Sequence, residues 1–185
     1  MEDNTKYTLS ILSENNIGLM QKVVTAFTRR KINIDSFTGS ETENKDIYRI
    51  TILVQTSKGM VKKVANSLEQ IIDVFRVVVY EDKDLVHQEL ALYKVPTKAL
   101  LEGSSIENII RKNNARILFV GKEMTVIEKT GHKQETQELF DLLTPYNVLG
   151  FSRSGRISLS NRDMTEVNKF LAKQLKKDKA TFVKI

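Results

Sequence analysis

The sequence predicts an α+β fold built from two ferredoxin-like βαββαβ units, each an antiparallel sheet with helices on one face. Three observations carry this. Short stretches alternate apolar and polar residues with period two, and others repeat apolar residues at helical spacing. These stretches run strand, helix, strand, strand, helix, strand over residues 5–82. The same order returns, less sharply, over residues 89–160. Residues 83–88, in a charged run, read as a linker, and residues 161–185 as a basic helix and tail.

The elements follow in order. Tyr7, Leu9 and Ile11 alternate with Thr8 and Ser10, a strand over Tyr7–Leu12. Leu19, Val23, Ala26 and Phe27 lie at helical spacing up to Arg29-Arg30-Lys31, whose charges suit a helix C-terminus. Ile32–Thr38 is a short strand, Glu41–Asp46 a polar turn, and Ile47–Gln55 a well-alternating strand broken at Lys58-Gly59. Met60, Val64, Leu68 and Ile71 mark a second helix, and Val74–Tyr80 a β-rich strand. The first and third strands of such a unit are central in the sheet.

The second unit reads as strand Leu90–Val95 before Pro96, helix Ser104–Asn113 capped by Ser104 or Ser105, and strands Arg116–Val120 and Met124–Lys129. Helix Lys133–Leu143 and strand Val148–Ser152 complete it. Ile157–Leu159 adds a strand, and Asp163–Lys176 a helix capped by Asn161 or Asp163.

Several function classes fall away on composition. No apolar run is long enough to span a membrane. The start, Met1-Glu2-Asp3-Asn4, is unlike a signal peptide, and there is no cysteine, so a cytoplasmic protein without a membrane partner is expected. The net charge of +6 is uneven: residues 1–82 carry 11 basic and 11 acidic side chains, and the rest carries 18 and 12. Lys169, Lys173, Lys176, Lys177, Lys179 and Lys184 supply much of the excess. A nucleic-acid contact is one reading, but no aromatics interleave as a stacking platform, so a solvated helix end is preferred and no nucleic-acid partner is expected.

Catalytic chemistry is thin. His87 and His132 have no partner at metal-ligand or triad spacing, and no metal site is expected. No carboxylate pair suggests tuned acid–base roles. The glycines of Gly150–Ile157 are spaced like a phosphate-binding loop but lack its Lys and Ser/Thr. The chain is therefore not expected to be an enzyme.

The junction Ser13-Glu14-Asn15-Asn16-Ile17-Gly18-Leu19-Met20 joins the first strand to the first helix. A helix N-terminus presents unpaired N–H groups and partial positive charge, which suits the carboxylate of a free amino acid. The N–H groups around Asn16, Ile17, Gly18 and Leu19 would take that carboxylate. Asn15 and Asn33 would meet the ammonium, and Ile17, Met20 and Ile34 would line an apolar wall. Local pattern leaves plainer roles open. Either Asn of the junction can cap the helix, Gly18 can serve the turn alone, and Asn33 can close the helix. Ile17, Met20 and Ile34 can be core or dimer contacts.

Leu12–Leu19 followed by Phe27–Phe37 resembles the ACT domain, and more specifically the small regulatory subunit of acetolactate synthase. Asp73-Val74-Phe75-Arg76-Val77 is similar to that family's aspartate-valine-leucine-arginine-valine strand, and Arg153–Ser160 resembles its arginine-serine-glycine segment. The frame departs at Asp35 for glutamate, Phe37 for leucine and Lys31 where glycine is common.

The resemblance implies a non-catalytic partner of a thiamine diphosphate-dependent large subunit in branched-chain amino acid (valine, leucine, isoleucine) biosynthesis. That subunit is also expected to hold Mg2+ and FAD, with no cofactor on this chain. It implies a homodimer through the ACT domain, stimulation of the large subunit, and feedback inhibition by valine. The implied effector set is Asn15, Asn16, Ile17, Gly18, Leu19, Met20, Asn33 and Ile34. The second unit is, by exclusion, the expected contact with the large subunit. Alternatives are a free-standing amino-acid sensor, a nucleic-acid-binding regulator and an independent enzyme.

Overall fold

Alternation in the first strand is the starting point, because it fixes which side chains can share a core. The computed structural model describes residues 4–101, 105–161, 170 and 172. The chain divides into two compact units: residues up to Val86 together with those from Ser158 onward, and His87–Ile157.

In the first unit, β1 (Thr5–Ser13), α1 (Leu19–Thr28), β2 (Ile34–Glu41), β3 (Tyr48–Thr56), α2 (Lys58–Leu68) and β4 (Val74–Glu81) follow in order. The strands are antiparallel and ordered β2-β3-β1-β4, so the first and third are central, as the topology requires. Leu9 faces Ile52 on one side and Val79 on the other. Tyr7, Leu9 and Ile11 therefore share a face with Ile50, Ile52 and Val54. That face packs on Leu19, Val23 and Phe27 of α1 and Val61, Val64 and Leu68 of α2.

Two boundaries differ from the sequence expectation. The strand ends at Thr56, just before Lys58-Gly59, but α2 already opens at Lys58 rather than at Met60, because Ser57 caps that helix, its Oγ accepting from Met60 N at 3.4 Å. At the end of α1, Lys31 adopts φ 54°, in the left-handed region. Its amide donates to Thr28 O at 3.0 Å, and that of Ile32 to Phe27 O at 3.2 Å. This is the helix-ending pattern that favours glycine, so β2 starts at Ile34 rather than Ile32.

The other face of the sheet is unusual. Helices on one face normally leave the second in water. Here Thr8, Ser10, Leu12, Thr51, Leu53 and Tyr80 are all buried. Phe170 contributes to the cover: its ring stacks on Phe75 at 5.0 Å, beside Leu12 and Ile47. Phe170 and Ala172 are helical, and the rest of the expected Asp163–Lys176 helix, with Asp163, lies outside the described residues. Asn161 is tied to the turn at Asp82–Asp84, its Nδ2 donating to Lys83 O and its amide to Asp84 O.

In the second unit, β5 (Leu85–Pro96) is followed by two short helices, α3 (Thr97–Leu101) and α4 (Ser105–Lys112). Then come β6 (Arg116–Val120), β7 (Met124–Gly131), α5 (Lys133–Leu143) and β8 (Gly150–Arg153). The order β6-β7-β5-β8 repeats the topology of the first unit, and β9 (Ile157–Ser160) pairs with β5. Residues 83–88 hold the end of the Asp82–Asp84 turn and the start of β5.

Tyr93, Ile106, Ile127 and Leu139 are fully buried in this core. Tyr93 Oη donates to Thr136 O at 2.6 Å, and burial pushes its hydroxyl up to about 12. Ser104 lies outside the described residues. Ser105 is already helical, and its hydroxyl bonds that of Tyr146 at 2.8 Å.

Candidate functional site

The Ser13–Met20 junction is held by the start of β4. Asp73 O accepts from Glu14 N at 2.9 Å, and its Oδ1 accepts from Asn16 Nδ2 at 2.9 Å. Asn16 Nδ2 also donates to Glu14 Oε2 at 2.9 Å, and Lys22 Nζ reaches Asp73 Oδ2 at 2.7 Å. The Lys22 ammonium first, and the Asn16 amide second, hold the Asp73 carboxyl below its ordinary value of 3.8. One aspartate thus fastens both the turn and the first helical turn behind it. Asp73, Lys22 and Glu14 had been given no role from the sequence. The signal was the position of Asp73 at the head of its family-like strand segment, but the contact spans 57 residues and leaves no local pattern.

The helix begins at Gly18, with φ 84° and ψ −6° and no side chain capping it. Neither Asn15 nor Asn16 is the cap, because the left-handed Gly18 intervenes and Asn16 is spent on Asp73 and Glu14. No acidic residue occupies the first turn of α1 itself; the carboxylates nearest its start are those of Glu14 and Asp73, both bonded to Asn16. A Cβ at Gly18 would meet nothing within 4 Å, so the turn is open to approach on that side.

The other expected residues fall into two groups. Asn15, Ile17 and Asn33 are exposed, Ile17 completely. Leu19 points into the core, and its amide already donates to Asn16 O at 3.2 Å, which removes it as a carboxylate donor. Ile34 packs, half-buried, against the same core. Met20 is 38% exposed and lies over β2, where a Cβ on Gly39 would meet its methyl at 3.2 Å and Tyr48 Oη at 2.7 Å. The junction therefore contacts edge strand β2 through Met20, and Gly39 leaves the space.

The two histidines, read as unconnected, meet. Their Nδ1 atoms lie 3.3 Å apart and their rings are edge-on at 4.6 Å. Pairing of Glu89 with Gly131 brings positions 87 and 132 together, although 45 residues separate them in sequence. Among the described residues no group of three or more His, Cys, Asp or Glu is placed to hold a metal ion. No helix among them is long and apolar enough to cross a membrane.

Comparison with known proteins gives the same picture for both units. Residues 9–76 match the family described as AHAS small subunit-like ACT domain, and residues 88–162 that described as small subunit of acetolactate synthase. The acetolactate synthase small subunit of Mycolicibacterium smegmatis is 35% identical over 156 residues, covering 83% of this chain and 90% of that one. Its counterpart from Mycobacterium leprae is 34% identical over 154 residues, with coverage of 83% and 90%. The crystal structure of the Thermotoga maritima small subunit superposes with a TM-score of 0.77 at 25% identity, covering 86% of this chain and 99% of that one. With both units matched in order, the chain belongs to the acetolactate synthase small-subunit family.

Proposed function

We propose that this chain is the non-catalytic regulatory partner of an acetolactate synthase large subunit, which it stimulates and makes sensitive to valine. Thiamine diphosphate, Mg2+ and FAD then belong to the large subunit. The observation that carries the reading is the Gly18 junction: an open helix start with no side-chain cap, inside a domain that matches the AHAS small subunit-like ACT family.

The ligand carboxylate meets the first-turn N–H groups other than that of Leu19. Exposed Asn15 and Asn33 supply oxygens to its ammonium, and Ile17 and Met20 its apolar wall. Ile17 in water has no partner in its own domain. A second copy, pairing through the ACT domain, would cover it and complete the pocket. Valine then acts by favouring one arrangement of the dimer, which needs a coupling of roughly 1–3 kcal/mol. The second unit is left to contact the large subunit.

The test mixes the pure chain with an acetolactate synthase large subunit and reads rate and valine sensitivity. Addition should raise the rate and introduce valine inhibition. Gly18→Asp, placing a carboxylate where the ligand's would sit, should abolish inhibition while stimulation persists. Valine inhibition that survives in the variant rejects the junction as the site, and an unchanged rate on mixing rejects the partnership.

A further inference from the structure

The free edges of the two sheets are not alike. An edge strand offers unpaired N–H and C=O groups to any passing strand, and natural proteins guard it with charge, proline, a bulge or shortness. In the first unit β2 carries Asp35 and Glu41, and β4 carries Arg76 and Glu81. In the second unit β8 has four residues and ends on Arg153. β6 is the exception. Its one neighbour among the described strands is β7. Ile117, Leu118, Phe119 and Val120 follow one another without charge or proline, and they are 40%, 52%, 51% and 60% exposed.

The single charge on β6 is already answered. Arg116 donates to Glu128 Oε2 from Nη2 at 2.8 Å and from Nε at 3.1 Å. The one guard on the strand is a bulge at Leu118, which shifts the ladder to β7 and brings no charge to the free edge. Ile117 pairs with Ile127 and Phe119 with Val126, so these two side chains lie on opposite faces of the sheet. β6 therefore presents an open backbone edge with apolar side chains on both faces.

We propose that β6 pairs antiparallel with β6 of a second copy of this chain, about a twofold axis through Leu118. The occupant has to be an extended segment, apolar on both faces and without charge at its centre. Among the described strands with a free edge, β6 alone meets this, and a twofold axis makes it its own complement. Centring on Leu118 pairs all five residues: Leu118 with Leu118, Ile117 with Phe119, and Arg116 with Val120. Charge agrees with that register. The two arginines stand at opposite ends of the pair, four residues or about 14 Å apart, beyond the Debye length of about 8 Å at physiological salt. Each also keeps its own Glu128. A standard interface takes about 20–30 residues a side, so a five-residue strand makes a reversible contact rather than a permanent one.

The chain has no cysteine, so a single introduced thiol reports the pairing. In Leu118→Cys the two thiols face each other, with Cα atoms about 4.5–5.5 Å apart and within disulfide reach. In Val120→Cys they stand about 14 Å apart, beyond that reach. Val120 is the more exposed position, so chance collision favours it. On mild oxidation of the pure full chain, Leu118→Cys should link into a covalent dimer several-fold faster than Val120→Cys. Adding Phe119→Lys, which brings a charge to the edge, should slow the linking of Leu118→Cys several-fold. Circular dichroism checks that the variants fold, and if Phe119→Lys does not, the comparison of the two thiols decides. Equal linking of the two, or linking unchanged by Phe119→Lys in a folded chain, overturns the pairing. A Leu118→Cys thiol that stays unlinked in the pure chain also overturns it. Shielding of that unlinked thiol from alkylation by an added large subunit would then assign the edge to that partner instead. The linking readouts depend on neither valine nor the large subunit.

Discussion

Lys31 and Gly18 sit at opposite ends of α1, and both adopt positive φ. At Gly18 the residue suits the conformation; at Lys31 it does not. A left-handed conformation costs a residue with a side chain about 1–2 kcal/mol, while glycine loses about 0.5–1 kcal/mol more than other residues through its freer unfolded chain. Relief of strain wins, so Lys31→Gly should stabilise the chain by about 0.5–1 kcal/mol, raising Tm by a few degrees. Urea unfolding checks this, and a lower midpoint would refute the strain argument. The position was legible as a departure, since glycine is common there in the family. Its cause, the pair of hydrogen bonds that closes α1, is not written in any local pattern.

Between elements, Asp73 joins the head of β4 to α1 and to the turn before it. A carboxyl held below its ordinary value stabilises the fold above that value, and the contribution fades as pH falls through the lower, folded value. Asp73→Asn should therefore flatten the acid side of the stability profile below about pH 4, the ordinary value being 3.8. Tm measured from pH 6 down to pH 2 decides it: an equally steep loss in the variant would show that other groups carry the acid sensitivity. This tie also marks the limit of what the sequence discloses. Period-two alternation revealed β1 and β3, because half-buried strands must alternate. The stripe of Leu19, Val23 and Phe27 revealed α1 for the corresponding reason. The strand break at Lys58-Gly59 was legible, but the start of α2 lies two residues earlier than the apolar spacing indicates, because a glycine in a first helical turn costs little once Ser57 caps the helix. The junction was found from its asparagines and glycine, yet Asn16 serves Asp73 and Leu19 serves the core. Contacts across 57 residues for Asn16, or 45 for the histidine pair, depend on the register of whole strands.

At the scale of the whole molecule, the first unit is discontinuous. Its sheet is made from residues before Val86, and part of what covers that sheet arrives from Ser158 onward. A chain ending at Val86 loses the Phe170 stack on Phe75 and exposes Leu12. The stack is worth about 0.5–1.5 kcal/mol and burial of the leucine about 1.5–3 kcal/mol, so the truncated unit should be weaker by at least about 2 kcal/mol. It should also bind an apolar dye such as ANS more strongly than the full chain. An unchanged urea midpoint with no added dye binding would show that the cover contributes nothing. The same discontinuity sets a timetable for synthesis. Phe170 follows Val86 by 170 − 86 = 84 residues, and a ribosome adds about 5–20 residues each second. For about 4–17 seconds, then, a newly made chain carries a folded or folding β-sheet whose outer face is still waiting for Phe170. A chaperone that recognises apolar surface has its best opportunity in that interval, with Leu12 and Phe75 as the exposed signal.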